Sequence, residues 1–265
     1  MATYALLNTV LSSLDKKLLV GGIFCDLQKA FDCVNHNILL TKLEFYGISG
    51  IATQLMRSYL NDRYQRIVIK DNKTSRQTSE WELVKHGVPQ GSILGPLLFL
   101  VYINDLSRTI NSVAELILFA DDTSILISNI SLEEFTSNIK LVMQQTINWF
   151  QSNLLSLNYS KTHFLQFLTE KQNEMKIQIM ASNSIITNIN STKFLGLTID
   201  CTLSWREHIS CLTSKLNKKA CYAIRAIKPF MSPSLLRTVY FSYFHSVMLY
   251  GVIFWCNSHL NNNIF

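Results

Sequence analysis

The sequence predicts an α+β fold: an antiparallel sheet with helices 35–46, 96–108 and 131–153 packed on one face, then a helical C-terminal region. Three observations lead there. Apolar runs of strand length recur between residues 22 and 199. Helix-period stripes with capping signals lie between them. From about residue 205 only the helical period remains.

The elements follow in order. Residues 3–14 read as a helix, and 22–27, apolar around Asp26, as a buried strand. The helix at 35–46 has Asn35 as its cap and Gly47 just past its end. Residues 65–70 and 81–86 alternate and are joined by a polar stretch, which predicts a hairpin. A loop rich in Gly and Pro precedes an apolar helix from Pro96. Strands 115–119 and 123–128 form a second hairpin across Ala120, Asp121 and Asp122. Ser131 and Glu134 make a capping box that opens an amphipathic helix carrying Leu132, Phe135, Ile139, Val142 and Trp149 on one face. Residues 163–168, 176–180, 185–189 and 193–199 read as further strands. A stripe of Ile209, Leu212, Leu216, Ala220, Ala223 and Ile227 then marks a helix, and Ser232-Pro233 opens a last one through Tyr250.

The 265 residues are 48% hydrophobic and 16% charged, which excludes a disordered chain and allows a core that needs no staple. The charge is uneven. Residues 1–200 hold 17 basic and 17 acidic side chains, whereas 201–265 hold seven basic and one acidic, the entire net charge of +6. With the change of periodicity, this divides the chain into regions 1–200 and 201–265. A basic tail fits an anionic partner, although on charge alone a solvated helix face is the simpler account. Six cysteines without a C-x-x-C or disulfide spacing read as reduced thiols, so an intracellular protein, nuclear or cytoplasmic, is expected. The histidine spacing offers no zinc site. No apolar stretch is long enough to span a bilayer, the N-terminus has the wrong order for a signal peptide, and no membrane partner is expected.

Three places carry chemistry. Asp26 closes an apolar strand, where a carboxylate is costly unless paired or metal-bound. Asp121 and Asp122 stand together at a hairpin tip with no Lys or Arg within five residues, and a divalent cation would relieve their repulsion. If the two strands are neighbours, Asp26 meets Asp121, and the group could hold two hard cations ~3.5–4 Å apart for in-line phosphoryl transfer. The third place is 86–96, where Gly87 and Gly91 permit close backbone approach and Gln90 projects an amide from a rigid loop. Each signal alone has an ordinary account as a turn, a cap or a helix entry.

In this order, the pieces resemble the reverse transcriptases of non-LTR, jockey-like retrotransposons. Residues 24–36 resemble the first catalytic motif, 87–96 with 102–106 the second, and 119–122 the metal-binding box. Residues 157–162, 193–196, 203–205 and 208–209 resemble the later motifs. The resemblance implies a polymerase palm and a partial, helical thumb. It implies that Asp26, Asp121 and Asp122 hold two Mg²⁺ ions, for which Mn²⁺ can substitute. Phe31 would stack under the sugar and exclude a 2′-hydroxyl, Gln90 would touch the incoming dNTP, and Gly91 would let it approach. Lys161 is a candidate general acid for pyrophosphate, with a surface lysine as the equal alternative. Asp32 belongs to the pattern without being assigned a metal. Phe194, Leu195 and Gly196 would grip the primer, and Lys215, Lys218, Lys219 and Arg225 would meet backbone phosphates.

The partners implied are an RNA template, a DNA primer and dNTP. Two other readings compete: an RNA-synthesising or maturase relative, which Phe31 opposes, and a non-catalytic nucleic-acid-binding remnant. Only 25 residues precede Asp26, and the thumb stops early. The chain therefore reads as a truncated fragment that keeps its carboxylates but polymerises poorly or not at all.

Overall fold

The computed structural model describes residues 2–70, 76–110, 113–169, 177–181 and 184–257, with backbone only at 181 and 218–220. The chain forms two compact units, one of residues 1–164 and 176–188, the other of 165–175 and 189–265.

In the first unit, α1 (Ala2–Asp15) buries Leu6, Leu7 and Val10 and leads into β1 (Leu19–Cys25), which is buried along almost its whole length. Helix α2 (His36–Phe45) starts where Asn35 Oδ1 accepts from the amides of Asn37 and Ile38, and ends before Gly47 at φ +89°. Helix α3 (Ile51–Leu60) was not predicted. It buries only Thr53 and Leu60 and leaves Ile51 and Leu55 exposed, so its apolar face does not mark a core stripe.

The next four strands are β2 (Tyr64–Gln65), β3 (Val68–Lys70), β4 (Arg76–Thr78) and β5 (Glu82–Leu83). Pairing of β2 with β5 closes the predicted hairpin, but its inner rung pairs β3 with residues 76–78, inside the expected polar connection. Residues 71–75 of that connection lie outside the described residues. The predicted helix from Pro96 is two helices, α4 (Leu94–Ile103) and α5 (Leu106–Ile110).

Strands β6 (Glu115–Phe119) and β7 (Asp122–Asn129) form the second hairpin. Helix α6 (Leu132–Ser152) is capped by Ser131 Oγ, which accepts from the Glu134 amide at 3.2 Å. Strand β8 (His163–Phe167) is followed by β9 (Ile179–Ala181) and β10 (Ser184–Asn188), while the first residue of the predicted strand 176–180 lies outside the described residues.

The main sheet has the order β6-β7-β1-β8-β10-β9. Its β1–β7, β6–β7 and β9–β10 pairs are antiparallel. The β8–β10 pair departs from the all-antiparallel expectation: β10 turns back from β9 and lies parallel beside β8. Gly21 in β1 lets aromatic rings close over the sheet, since a Cβ there would stand 2.6 Å from the Phe164 ring and 3.0 Å from Phe135 of α6.

The second unit contains β11 (Ser191–Phe194) and β12 (Leu197–Asp200). The expected single strand 193–199 is interrupted by a turn, because Leu195 and Gly196 adopt φ +46° and +83°. Helix α7 (Arg206–Lys215) passes through a π-helical segment at Leu216–Cys221 into α8 (Tyr222–Ile227). The expected last helix is divided into α9 (Pro233–Val239), a π-helical segment at Tyr240–His245, and α10 (Ser246–Leu249), before α11 (Val252–Trp255). Composition changes near residue 200, whereas packing groups β11 and β12 with the helices.

The Asp200 side chain ties that unit's hairpin to its first helix. Oδ1 accepts from the Thr202 and Ser204 amides and the Thr202 hydroxyl at 3.1, 2.9 and 2.8 Å, and Oδ2 accepts from the Trp205 amide at 2.7 Å. Burial opposes ionisation, but these donors prevail and hold the carboxyl below its usual range. His208 stacks edge-on against Trp205 and lies near Trp255, and its Nδ1 accepts from the Thr198 amide at 3.3 Å. Burial pushes its imidazole below the usual histidine value.

Candidate active site

The register that pairs Cys25 with Thr123 sets Asp26 across from Asp122, one step past the last pair. Asp121 occupies the two-residue turn between Phe119 and Asp122, beside Ala120 at a strained φ of +53°. The expected meeting of Asp26 with Asp121 is thus a meeting with Asp122, with Asp121 adjacent in the turn. Alternation along β1 points Asp26 away from the face on which Gly21 meets α6.

Asp26 is fixed through its backbone. Its amide donates to Thr162 Oγ1 at 3.3 Å, and its carbonyl accepts from the Asn158 amide at 2.8 Å. A Leu27–Leu157 bridge and a Gln28 amide bond to the Ser156 carbonyl extend the attachment. Among the described residues, no hydrogen-bond donor reaches the carboxylates of Asp26, Asp121 or Asp122. Lys161 Nζ stands 3.9 Å from Asp26 Oδ2, beyond hydrogen-bond length, with 68% of its side chain exposed. Burial first, then Asp121 and Asp26, raises the Asp122 carboxyl above the usual range.

Oxygen ligands with excess negative charge and no donors fit a hard divalent cation. Among the described residues, no three His, Cys, Asp or Glu side chains are already gathered around one ion position.

Next to the aspartates is a cleft of about 420 Å³, whose lining includes Lys29, Phe31, Pro89, Gln90, Gly91 and Asp121. The Phe31 ring lies 4.7 Å from that of Phe99, at 33°, which limits its movement. Gly91 has φ +81° and open space where a Cβ would stand. The structure therefore brings Phe31, Gln90 and Gly91 to one cleft with Asp121, and Lys161 to within 3.9 Å of Asp26.

The remaining sequence-predicted residues belong to the second unit. Phe194 is buried, and Leu195 and Gly196 form the β11–β12 turn. The Tyr250 hydroxyl donates to the Leu195 carbonyl, and the Tyr250 ring would lie 3.1 Å from a Cβ at Gly196. Lys215 and Arg225 are exposed, while the side chains of Lys218 and Lys219 lie outside the described residues.

Sequence reasoning missed three residues and one contact. Thr162 and Asn158 hold Asp26, and both lie within the 157–162 motif. Lys29 lines the cleft at φ +48° and lies within the 24–36 motif, where a cation three residues after Asp26 was the available signal. Asp32 accepts a hydrogen bond from Gln90 Nε2 at 2.9 Å across 58 residues of sequence, a contact with no local signal.

A mixed sheet that carries carboxylates at the ends of its central strands, beside a cleft of about 420 Å³, is the arrangement expected of a polymerase palm. The chain superposes on apo telomerase from Candida tropicalis truncated from its C-terminal domain, with a TM-score of 0.51 over 75% of this chain and 38% of that one, at 17% identity. It also superposes on telomerase from the same organism in complex with a TWJ fragment of telomeric RNA, with a TM-score of 0.50 over 95% and 41% of the two chains, at 14% identity. The family model described as reverse transcriptase (RNA-dependent DNA polymerase) matches residues 8–199, and the chain belongs to that family. It is 26% identical over 275 residues to the probable RNA-directed DNA polymerase from transposon BS of Drosophila melanogaster, covering 95% of this chain and 28% of that protein. To the RNA-directed DNA polymerase from mobile element jockey of Drosophila funebris it is 27% identical over 215 residues, covering 79% and 23%. The chain thus spans about a quarter of the length of these relatives. Among the described residues, no helix is long and apolar enough to cross a membrane.

Proposed function

We propose that this chain is the RNA-directed DNA polymerase domain of a non-LTR, jockey-like mobile element, joining dNTPs to a DNA primer 3′-hydroxyl on an RNA template. The observation that carries the reading is the register that sets Asp26 across from Asp122 with Asp121 in the adjoining turn, beside a cleft with Phe31, Gln90 and Gly91. Asp26, Asp121 and Asp122 would hold two Mg²⁺ ions, or Mn²⁺ in their place. Bound there, such ions lower the pKa of the attacking hydroxyl and offset charge on the triphosphate. The protein's part is positioning. Thr162 and Asn158 fix the backbone of Asp26, and the hairpin turn fixes Asp121. Phe31, braced by Phe99, lies under the sugar and leaves no room for a 2′-hydroxyl. Gln90 and Gly91 form the wall that the nucleotide meets. Lys161 stands near enough to Asp26 to pass a proton toward departing pyrophosphate. Lys29 adds a cation to the same cleft. Regions 1–200 and 201–265 serve as palm and thumb-like region, with the turn that follows Phe194, at Leu195 and Gly196, on the primer and Lys215, Lys218, Lys219 and Arg225 on backbone phosphates. The site of action is nuclear or cytoplasmic.

Primer extension on an RNA template with Mg²⁺ tests the reading. Weak incorporation of dNTP over NTP that is lost in Asp121→Asn is the expected result. Incorporation indifferent to that change contradicts it. So does salt-sensitive nucleic-acid binding through residues 206–237 with no Mg²⁺-dependent incorporation.

A further inference from the structure

We infer that Asp32 is a positioning residue: its carboxylate holds the Gln90 side-chain amide in one orientation and thereby sets the affinity of the cleft for a nucleotide. The inference rests on the reading of that cleft as a nucleotide site.

Both side chains are exposed, so the 2.9 Å bond between them would ordinarily contribute little. Here their backbones are already locked together. The Val88 amide donates to the Phe31 carbonyl at 2.9 Å and the Gly87 amide to the Val34 carbonyl at 2.8 Å. His36 Nε2 donates to the Gly87 carbonyl at 2.8 Å. Gly87, at φ +87°, lies so close to Asp32 that a Cβ would stand 2.9 Å from its backbone. The Pro89 carbonyl accepts from Ser92 Oγ at 2.8 Å and abuts Gly95. Only the two side-chain rotamers remain to be ordered when the bond forms, so little entropy opposes it.

The polarity of the bond also matters. An ionised carboxylate can only accept, so it selects the amide flip that presents Nε2. The reverse flip would set Oε1 against the carboxylate. With one hydrogen of Nε2 committed to Asp32, Oε1 is the acceptor left to face an incoming molecule. Asp32 thus fixes which hydrogen-bonding group Gln90 offers, without needing contact with the nucleotide.

The test is equilibrium binding of labelled dGTP with Mg²⁺ and a primer–template, together with NMR of the Gln90 side-chain amide in the protein without nucleotide. Asp32→Ala and Gln90→Ala should each weaken dGTP binding about tenfold, and the double variant no further than Gln90→Ala, because Asp32 acts on the nucleotide only through Gln90. Asp32→Asn should stay within about threefold, since its Oδ1 still accepts. Gln90→Glu sets two carboxylates together and should bind worst. Adding Asp32→Asn to it should recover binding, because the Asn amide then donates to Glu. Single effects that multiply to about a hundredfold overturn the inference, as does wild-type binding by Asp32→Ala. The Gln90 amide resonances, identified by their loss in Gln90→Ala, should move in Asp32→Ala, and unmoved resonances overturn the inference whether or not nucleotide binds. If the wild-type chain binds no dGTP, the nucleotide reading of the cleft fails, and the resonances alone decide whether Asp32 holds the amide.

Discussion

Asp200 and the Asp26–Asp121–Asp122 group show two ways of placing carboxylates in one chain. The Asp200 side chain accepts four hydrogen bonds, three from backbone amides and one from the Thr202 hydroxyl. Its charge is settled within the protein, and its carboxyl is held low. Across the β1–β7 register, among the described residues, the three aspartates receive no donor, and Asp122 is held high by burial and by its two neighbours. A saturated carboxylate is a structural fastening. A group of like charges without a donor from the protein opposes its own ionisation, and a bound cation would relieve that repulsion.

Removing the fastening should give the largest change in stability. Asp200→Ala strands the amides of Thr202, Ser204 and Trp205 and should destabilise the second unit by about 2–4 kcal/mol. Urea unfolding followed through the buried Trp205 and Trp255 measures it, and a loss under about 0.5 kcal/mol would end the contrast.

Acid should separate the two kinds of carboxylate by sign. The Asp200 carboxyl is lowered from 3.8 in the folded chain, so its contribution is complete above 3.8 and lost as pH falls through the lower folded value. The Asp122 carboxyl is raised above 3.8, so its unfavourable contribution is complete above the raised value and disappears as pH falls toward 3.8. Without divalent cation, Asp122→Asn should therefore raise stability at neutral pH, only slightly because solvent screens this exposed side chain, and Asp200→Asn should lower it. Thermal unfolding of both variants across that pH range shows whether the signs differ.

His208 should add a slope of its own. Its folded value lies below 6.5, so its neutral form's contribution is complete above 6.5 and lost as pH falls from there toward the folded value. The second unit should lose stability on the order of 1 kcal/mol per pH unit at most in that window. His208→Gln should flatten the slope in acid urea titrations. The smallest effect is expected at Lys161, which is 68% exposed and 3.9 Å from Asp26. Lys161→Ala should change stability by less than about 0.5 kcal/mol, and a larger loss would show that the aspartate group is already paired.

The features visible in the sequence depend on near neighbours. Asn35 caps its helix through residues two and three positions on, and Ser131 does the same with Glu134. Asp26 and Asp121-Asp122 stood out because each interrupts an apolar run. The α3 helix also carries a local signal, Ile51 and Leu55 four residues apart, although these side chains face solvent rather than the core. The break between β11 and β12 depends on a leucine at φ +46°, which the residue type disfavours and Tyr250, 55 residues away, supports. The Gln90–Asp32 bond and the attachment of Asp26 to Thr162 are likewise products of tertiary packing, spanning 58 and 136 residues.

Calorimetric titration of Mn²⁺ into the chain and its Asp→Asn variants tests the central claim most directly. Ion uptake by the wild type and by Asp200→Asn, with loss in Asp26→Asn, Asp121→Asn and Asp122→Asn, is the predicted result. Uptake that survives all three of those changes, or that disappears with Asp200 instead, would contradict it.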